Sequence, residues 1–181
     1  MKPDYLKQTP ILDFEHPEIQ ALVRTRQWKQ LSEADRIHAI YDYVRNEIRF
    51  GYNASDEIPA SQVLKDGYGQ CNTKGTLFMA LLRAVGIPCR FHGFTIYKAL
   101  QRGAIPVWIY NLAAPPEIIH SWVEVQFQGR WLNMEGFILD DPYLHRLQAA
   151  FSDCTTFCGY GAAVTDLQNP PVVWTGGDTY I

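Results

Sequence analysis

The sequence predicts an α+β domain, and three observations carry that prediction. Residues 71–85 repeat apolar side chains with helical spacing and almost no polar face, which places a helix at the centre of a domain. Residues 90–97 and 118–135 are rich in β-branched and aromatic side chains and are divided by a Gln-Gly turn, the pattern of antiparallel strands. The length of 181 residues suits one domain. Area scaling lets such a chain bury roughly 70% of its unfolded surface without disulfides or metals as staples. A buried helix followed by antiparallel strands is an α+β arrangement.

Taken in order, Pro10 and Pro17 punctuate an irregular arm that ends in a short helix from Pro17 to Trp28. Ser32-Glu33-Ala34-Asp35 is a capping box with Asp in place of Glu. Beyond it Ile37, Ile40, Tyr41, Val44 and Ile48 form the buried stripe of a helix, with Asp35, Arg36, Asp42, Arg45 and Glu47 on its outer face. Asp66-Gly67-Tyr68-Gly69-Gln70 is a glycine-punctuated turn. The central helix follows from Cys71 to Val85, with Gly86 as its stop and Pro88 beyond. Its two charges, Lys74 and Arg83, fall on opposite sides. Strands are expected at Arg90–Tyr97, Val107–Tyr110 and Ile118–Phe127, the last returning through the turn Gln128-Gly129 into Arg130–Glu135. Pro142–Phe151 reads as a short helix, and residues 159–181 as loop with a strand at Val172–Trp174.

Composition excludes several classes. Hydrophobic residues make up 47% and charged ones 19%, with 13 Gly and 11 Pro, so disorder, collagen and low complexity do not apply. A net charge of −3 argues against general binding to nucleic acid or to an anionic membrane. The charge is uneven: residues 61–120 carry six basic and two acidic side chains, residues 121–181 two and seven. The first residues lack the apolar core of a secretory signal, and no segment reaches the roughly 18 apolar residues of a membrane span. A soluble cytoplasmic protein is therefore expected. There the four cysteines, Cys71, Cys89, Cys154 and Cys158, are core residues, metal ligands or nucleophiles rather than disulfide partners.

Cys71 stands out because it opens the buried helix. The partial positive charge of a helix start favours thiolate, and its free N–H groups can hold an oxyanion. A thiol nucleophile works with a histidine. His16, His38 and His145 read as surface residues, and His92 and His120 lie in strands. With Gln128-Gly129 as a two-residue loop, Phe127 pairs with Arg130, so Trp122 faces Glu135 and His120 shares a sheet face with Glu135 as a diagonal neighbour. A carboxylate there can orient the imidazole. A one-residue slip would throw Glu135 to the other face. Asn133, Asp140 and Asp141 compete for the same role.

Three segments together resemble a known family. Gly69-Gln70-Cys71 with the run Lys74 to Arg90 is similar to the nucleophile segment of the transglutaminase-like superfamily, His120–Val125 to its histidine strand, and Gly129–Glu135 to its acid strand. The resemblance implies a papain-like core, with the nucleophile at the start of a central helix packed on an antiparallel sheet. It makes Cys71 the nucleophile, His120 the general base and then acid, and Glu135 the orienting acid, where the family usually has Asp. It does not identify a second oxyanion donor; Gln70 and Tyr68 are nearby.

The division expected is an arm with a short helix over residues 1–31, a catalytic core over 32–140, and an extension over 141–181 packed on the same domain. The expected activity is thiol-dependent hydrolysis or acyl transfer at an amide of a peptide, protein or small molecule. Hydrolysis is favoured because nothing resembles the extra domains of the calcium-dependent crosslinking enzymes. The alternative is a non-catalytic peptide-binding or assembly module of the same fold. No cofactor is expected. Cys154 and Cys158, spaced C-x3-C, could hold a metal with His145, but a four-ligand zinc site needs a further partner at comparable spacing and none is near, so no metal is expected either. Cys89 reads as a core residue.

Overall fold

The computed structural model of the chain describes residues 4–103, 105–112 and 115–181. Met1–Pro3, the first part of the predicted arm, lie outside them. Helix α1 (Pro17–Thr25) starts with Pro at its first position, where the missing N–H costs nothing, and with His16 Nδ1 accepting from the Glu18 N–H at 3.4 Å. It ends earlier than expected. Gln27 adopts φ 55°, and Trp28–Gln30 form a separate 3₁₀ turn that buries Trp28.

Helix α2 (Glu33–Asn46) opens as its capping residue predicts, with the Ser32 hydroxyl accepting from the Asp35 N–H at 3.2 Å. The whole apolar stripe from Ile37 to Ile48 is buried. Arg45 corrects the outer-face expectation: it is buried and pairs with Asp141 at 2.5 Å, so a charge partner from a distant segment draws it inward.

Strand β1 (Arg49–Phe50), helix α3 (Ala60–Asp66) and strand β2 (Tyr68–Gly69) follow. The two strands pair in parallel, Arg49 with Tyr68 and Phe50 with Gly69. Helix α3 was not foreseen. It closes on Gly67, whose φ of 71° is the left-handed conformation that favours glycine.

Helix α4 (Cys71–Ala84) is the central element, with Leu77, Phe78, Ala80, Leu81 and Leu82 fully buried. It packs on a sheet of strands β3 (Cys89–Tyr97), β4 (Glu117–Phe127) and β5 (Arg130–Met134), antiparallel in that order. Gly75 permits the close approach: a Cβ there would lie 3.0 Å from the Phe91 ring and 3.6 Å from Val123. Phe127 pairs with Arg130, and both loop residues have positive φ, Gln128 at 49° and Gly129 at 76°.

Two expected strands are absent. Residues Val107–Leu112 form a short helix, α5, with the Tyr110 N–H donating to the Pro106 carbonyl at 3.0 Å. None of its residues is buried; strand preference reflects packing against neighbours, and here local hydrogen bonds prevail. Val172–Trp174 is irregular, since Pro170 and Pro171 bring no N–H to a ladder and the Val172 carbonyl instead accepts from Tyr41 Oη at 2.6 Å. Helix α6 (Asp141–Ala150) matches the predicted short helix, with Asp140 as its cap. Strands β6 (Phe157–Gly159) and β7 (Ala162–Val164) make a small hairpin. The final segment lies along β5, where Met134 forms a parallel bridge with Thr179. Among the described residues no helix is long and apolar enough to cross a membrane.

Candidate active site

Three elements bring the site together. Helix α4 supplies Cys71 at its first residue, β4 supplies His120, and the residue after β5 supplies Glu135. The β4–β5 pairing ends at Val123–Met134, so His120 lies past the last rung, where the chain after β5 turns away from the sheet. The predicted register holds as far as Val123–Met134, the expected Trp122–Glu135 pair does not form, and beyond the ladder His120 Nε2 meets Glu135 Oε1 at 2.6 Å with both side chains buried. The other carboxylate oxygen accepts from the Ile181 N–H at 3.4 Å, and the Glu135 N–H donates to the Thr179 carbonyl at 3.1 Å. The carboxylate is thus held from two sides, one of them a C-terminal segment whose role no sequence pattern indicated.

With Nε2 taken by Glu135, Nδ1 is the ring nitrogen that remains. Phe94, the cross-strand partner of His120, covers the ring edge-on at 5.1 Å. Burial pushes the imidazole pKa down. Hydrogen bonds with Cys71 and Glu135, together with their charges, outweigh it and hold His120 up at about 9. A histidine raised in this way adds stability that is complete below the ordinary pKa near 6.5 and is lost as the pH rises through about 9. An NMR titration of the ring nitrogens should give a His120 midpoint near 9. Cys71→Ala and Glu135→Gln should each lower it, because each removes one upward influence; unchanged midpoints in both would contradict this origin.

Cys71 and His120 line one cavity of about 200 Å³, with Ile96, Leu100, Ile118, Ile119 and Ile138 as apolar walls and Tyr52, Asp56, Gln70 and Asn72 as polar ones. Gln70 caps α4: its Oε1 accepts from the Asn72 N–H at 2.8 Å and from Cys71 Sγ at 2.9 Å. Its Nε2 donates to Asp56 Oδ1 at 2.5 Å, and Asn72 Nδ2 donates to Asp56 Oδ2 at 2.8 Å. The Ser121 hydroxyl donates to Asn72 Oδ1 at 2.7 Å, which ties the start of α4 to β4. Sequence reasoning did not single out Asp56, since its part depends on a loop reaching back over the helix start.

Lys74 was also undervalued. It is fully buried one turn after Cys71, and its Nζ donates to the Arg45 carbonyl at 3.1 Å and the Ile138 carbonyl at 3.0 Å. The first is a carbonyl in the last turn of α2, left free by helix geometry; the second belongs to a cavity wall. A lysine in a helix with no polar face was the available signal.

The rivals are engaged elsewhere. Asp140 accepts from the N–H groups of Tyr143 and Phe50, Asp141 pairs with Arg45, and the Asn133 side chain donates to Tyr180 Oη. His92 pairs with Glu124 at 3.2 Å and stacks on Trp122, outside the cavity lining. His38 bonds the Trp174 carbonyl at 3.1 Å. Cys89 is buried, and burial pushes its thiol up to about 12, which marks it as inert. Cys154 and Cys158 are free thiols, half-buried and exposed. Among the described residues no group of three or more His, Cys, Asp or Glu side chains is placed to hold a metal.

An α+β fold that sets a cysteine at the head of its central helix, beside a histidine and a carboxylate carried by the sheet, has the papain-like layout. Comparison narrows the class: residues 20–136, well over half of the chain, match the transglutaminase-like superfamily, a family of thiol-dependent enzymes. The chain belongs to that superfamily. Among solved structures it is similar to a "Putative Cysteine Protease" from Cytophaga hutchinsonii, with 18% identity and a TM-score of 0.53 over 71% of this chain and 39% of that one. It also matches the periplasmic domain of TgpA from Pseudomonas aeruginosa, solved bound to ethylmercury, with 16% identity and a TM-score of 0.49 over 76% and 49% of the two chains. The chain thus spans less than half the length of either, and at this identity the first likeness is one of fold. No curated protein matches the chain.

Proposed function

We propose that this protein is a thiol-dependent amide hydrolase or acyl transferase, with Cys71 as nucleophile, His120 as general base and then acid, and Glu135 as the group that orients His120. The observation that carries the reading is the 2.6 Å bond between His120 Nε2 and Glu135 Oε1, which fixes the ring so that its other nitrogen serves the thiol in the shared cavity. The proton that His120 holds at neutral pH is the one the thiol has given up, and Sγ forms a bond to the carbonyl carbon. The carbonyl π electrons move to oxygen, then return to expel the amine, which leaves with the proton from His120. Water or an amine attacks the thioester in the second half, with His120 again as base. The isoleucine and leucine walls suit an apolar acyl group on a peptide, a protein or a small amide.

Iodoacetamide labelling of the native protein, mapped by mass spectrometry across pH, tests this. Cys71 should react faster below pH 7 than Cys154 or Cys158, which bond to no histidine–carboxylate pair among the described residues. Equal rates would favour the alternative, a non-catalytic binding module.

A further inference from the structure

We propose that Asp56 receives the α-ammonium group of the residue whose carbonyl Cys71 attacks, so that the substrate presents an apolar residue at a free amino terminus. The inference rests on the reading of Cys71 as nucleophile and names the substrate class of that site. Among the described residues that line the cavity, Asp56 is the single acid, and it is exposed, so it stands where the cavity opens to solvent. Its partners are two neutral amides, Gln70 Nε2 at 2.5 Å on one oxygen and Asn72 Nδ2 at 2.8 Å on the other. Among the described residues no lysine, arginine or histidine forms an ion pair with it.

Neutral donors orient a carboxylate and leave its charge in place. Each carboxylate oxygen has two acceptor positions, so both oxygens keep one for a further donor. The two amides are themselves fixed to the start of α4: Gln70 Oε1 accepts from the Asn72 N–H at 2.8 Å, and Asn72 Oδ1 accepts from the Ser121 hydroxyl at 2.7 Å. The carboxylate is therefore held in one place before anything binds. A negative charge beside apolar, low-dielectric walls concentrates its field in the cleft and draws a cation there.

Gln70 sets the distance between charge and nucleophile. Its Oε1 lies 2.9 Å from Cys71 Sγ and its Nε2 lies 2.5 Å from Asp56 Oδ1, so the width of one amide group separates thiol from carboxylate. A cation carried on the carbon next to the scissile carbonyl matches so short a span, and the side chain on that same carbon meets the walls of Ile96, Leu100, Ile118 and Ile119. The cavity, about 200 Å³, is smaller than the roughly 300–1,000 Å³ of sites for drug-sized ligands, so it takes one residue rather than an extended segment. A chain continuing toward its amino terminus would set a neutral amide against Asp56 and leave the carboxylate charge unanswered.

The test uses the 4-nitrophenyl esters of leucine and of N-acetylleucine at about pH 6, where the first carries an ammonium and the second is neutral. With either ester Sγ bonds to the acyl carbon and 4-nitrophenolate leaves with the electron pair; water then adds to the thioester carbon and its proton passes through His120 to the departing sulfur. Each rate is divided by that ester's hydrolysis rate in buffer alone. Wild type should favour the ammonium ester by about tenfold, and added salt should shrink the preference by screening. Asp56→Asn should bring the ratio close to one. Because the ratio is taken within each protein, a weakened hold on Gln70 and Asn72, which slows both esters alike, does not move it. A ratio that survives Asp56→Asn would overturn the proposal. So would a wild-type ratio near or below one, or one indifferent to salt, and these need no variant to fold. If neither ester acylates Cys71 of wild type, the nucleophile reading fails and the role of Asp56 fails with it.

Discussion

Replacing His120 with Ala should slow iodoacetamide labelling of Cys71 at neutral pH by about 100-fold or more, the usual scale of a lost general base. The ring nitrogen facing the thiol receives its proton, and the Glu135 bond at 2.6 Å keeps that nitrogen in place. Cys154 and Cys158 lie outside this arrangement, so their rates in the same sample should not change. Cys89 should stay unlabelled in both proteins, because it is fully buried. Glu135→Gln separates orientation from proton transfer: acylation should fall while Cys71 alkylation stays largely intact. A Cys71 rate unaffected by His120→Ala would mean that the imidazole and the thiol do not act together.

The largest stability effect is expected at Lys74. Lys74→Ala removes a fully buried aliphatic stem and leaves the carbonyls of Arg45 and Ile138 without their donor. Cavity and unsatisfied acceptors together should cost about 4 kcal/mol. For a chain of this size that lowers the melting temperature by about 8–16 °C. Burial holds the Lys74 ammonium down at about 7, against an upward pull from Asp140 and a further downward push from Arg45. Above that pH the unfolded chain binds the extra proton, so wild-type stability gains from Lys74 as the pH rises from about 7 toward the ordinary lysine value. Alanine lacks this gain, and the gap between the two melting curves should widen from pH 7 to pH 10. A gap that narrows would show that the lysine is buried in its charged form throughout.

The parts of the fold visible in the sequence were those governed by local chemistry. Gln128-Gly129 selected a two-residue loop, which set the β4–β5 register as far as Val123–Met134; beyond that rung His120 and Glu135 meet outside the ladder, with the Glu135 N–H held by the Thr179 carbonyl. The missing polar face of the central helix predicted its burial, and Gly86, with φ 82°, ends it where expected. What escaped depended on distant partners. Arg45 looked solvent-facing until Asp141 reached it, and Asp56 mattered only once its loop lay against Gln70 and Asn72. Val107–Leu112 carried strand-forming residues but had no buried face, so it coiled into a helix. The uneven charge follows the same division, since the cysteine comes from the basic third of the chain and its acid from the acidic third.

As proposed, Cys71, His120 and Glu135 act as one acyl-transfer unit. Its most direct test is to treat the native protein with 4-nitrophenyl acetate, quench within the burst, and locate the acetyl group by peptide mapping. A thioester on Cys71 should form in step with released 4-nitrophenolate and be absent from His120→Ala. Acetyl groups spread over Cys154, Cys158 and surface lysines, with none enriched at Cys71, would contradict it.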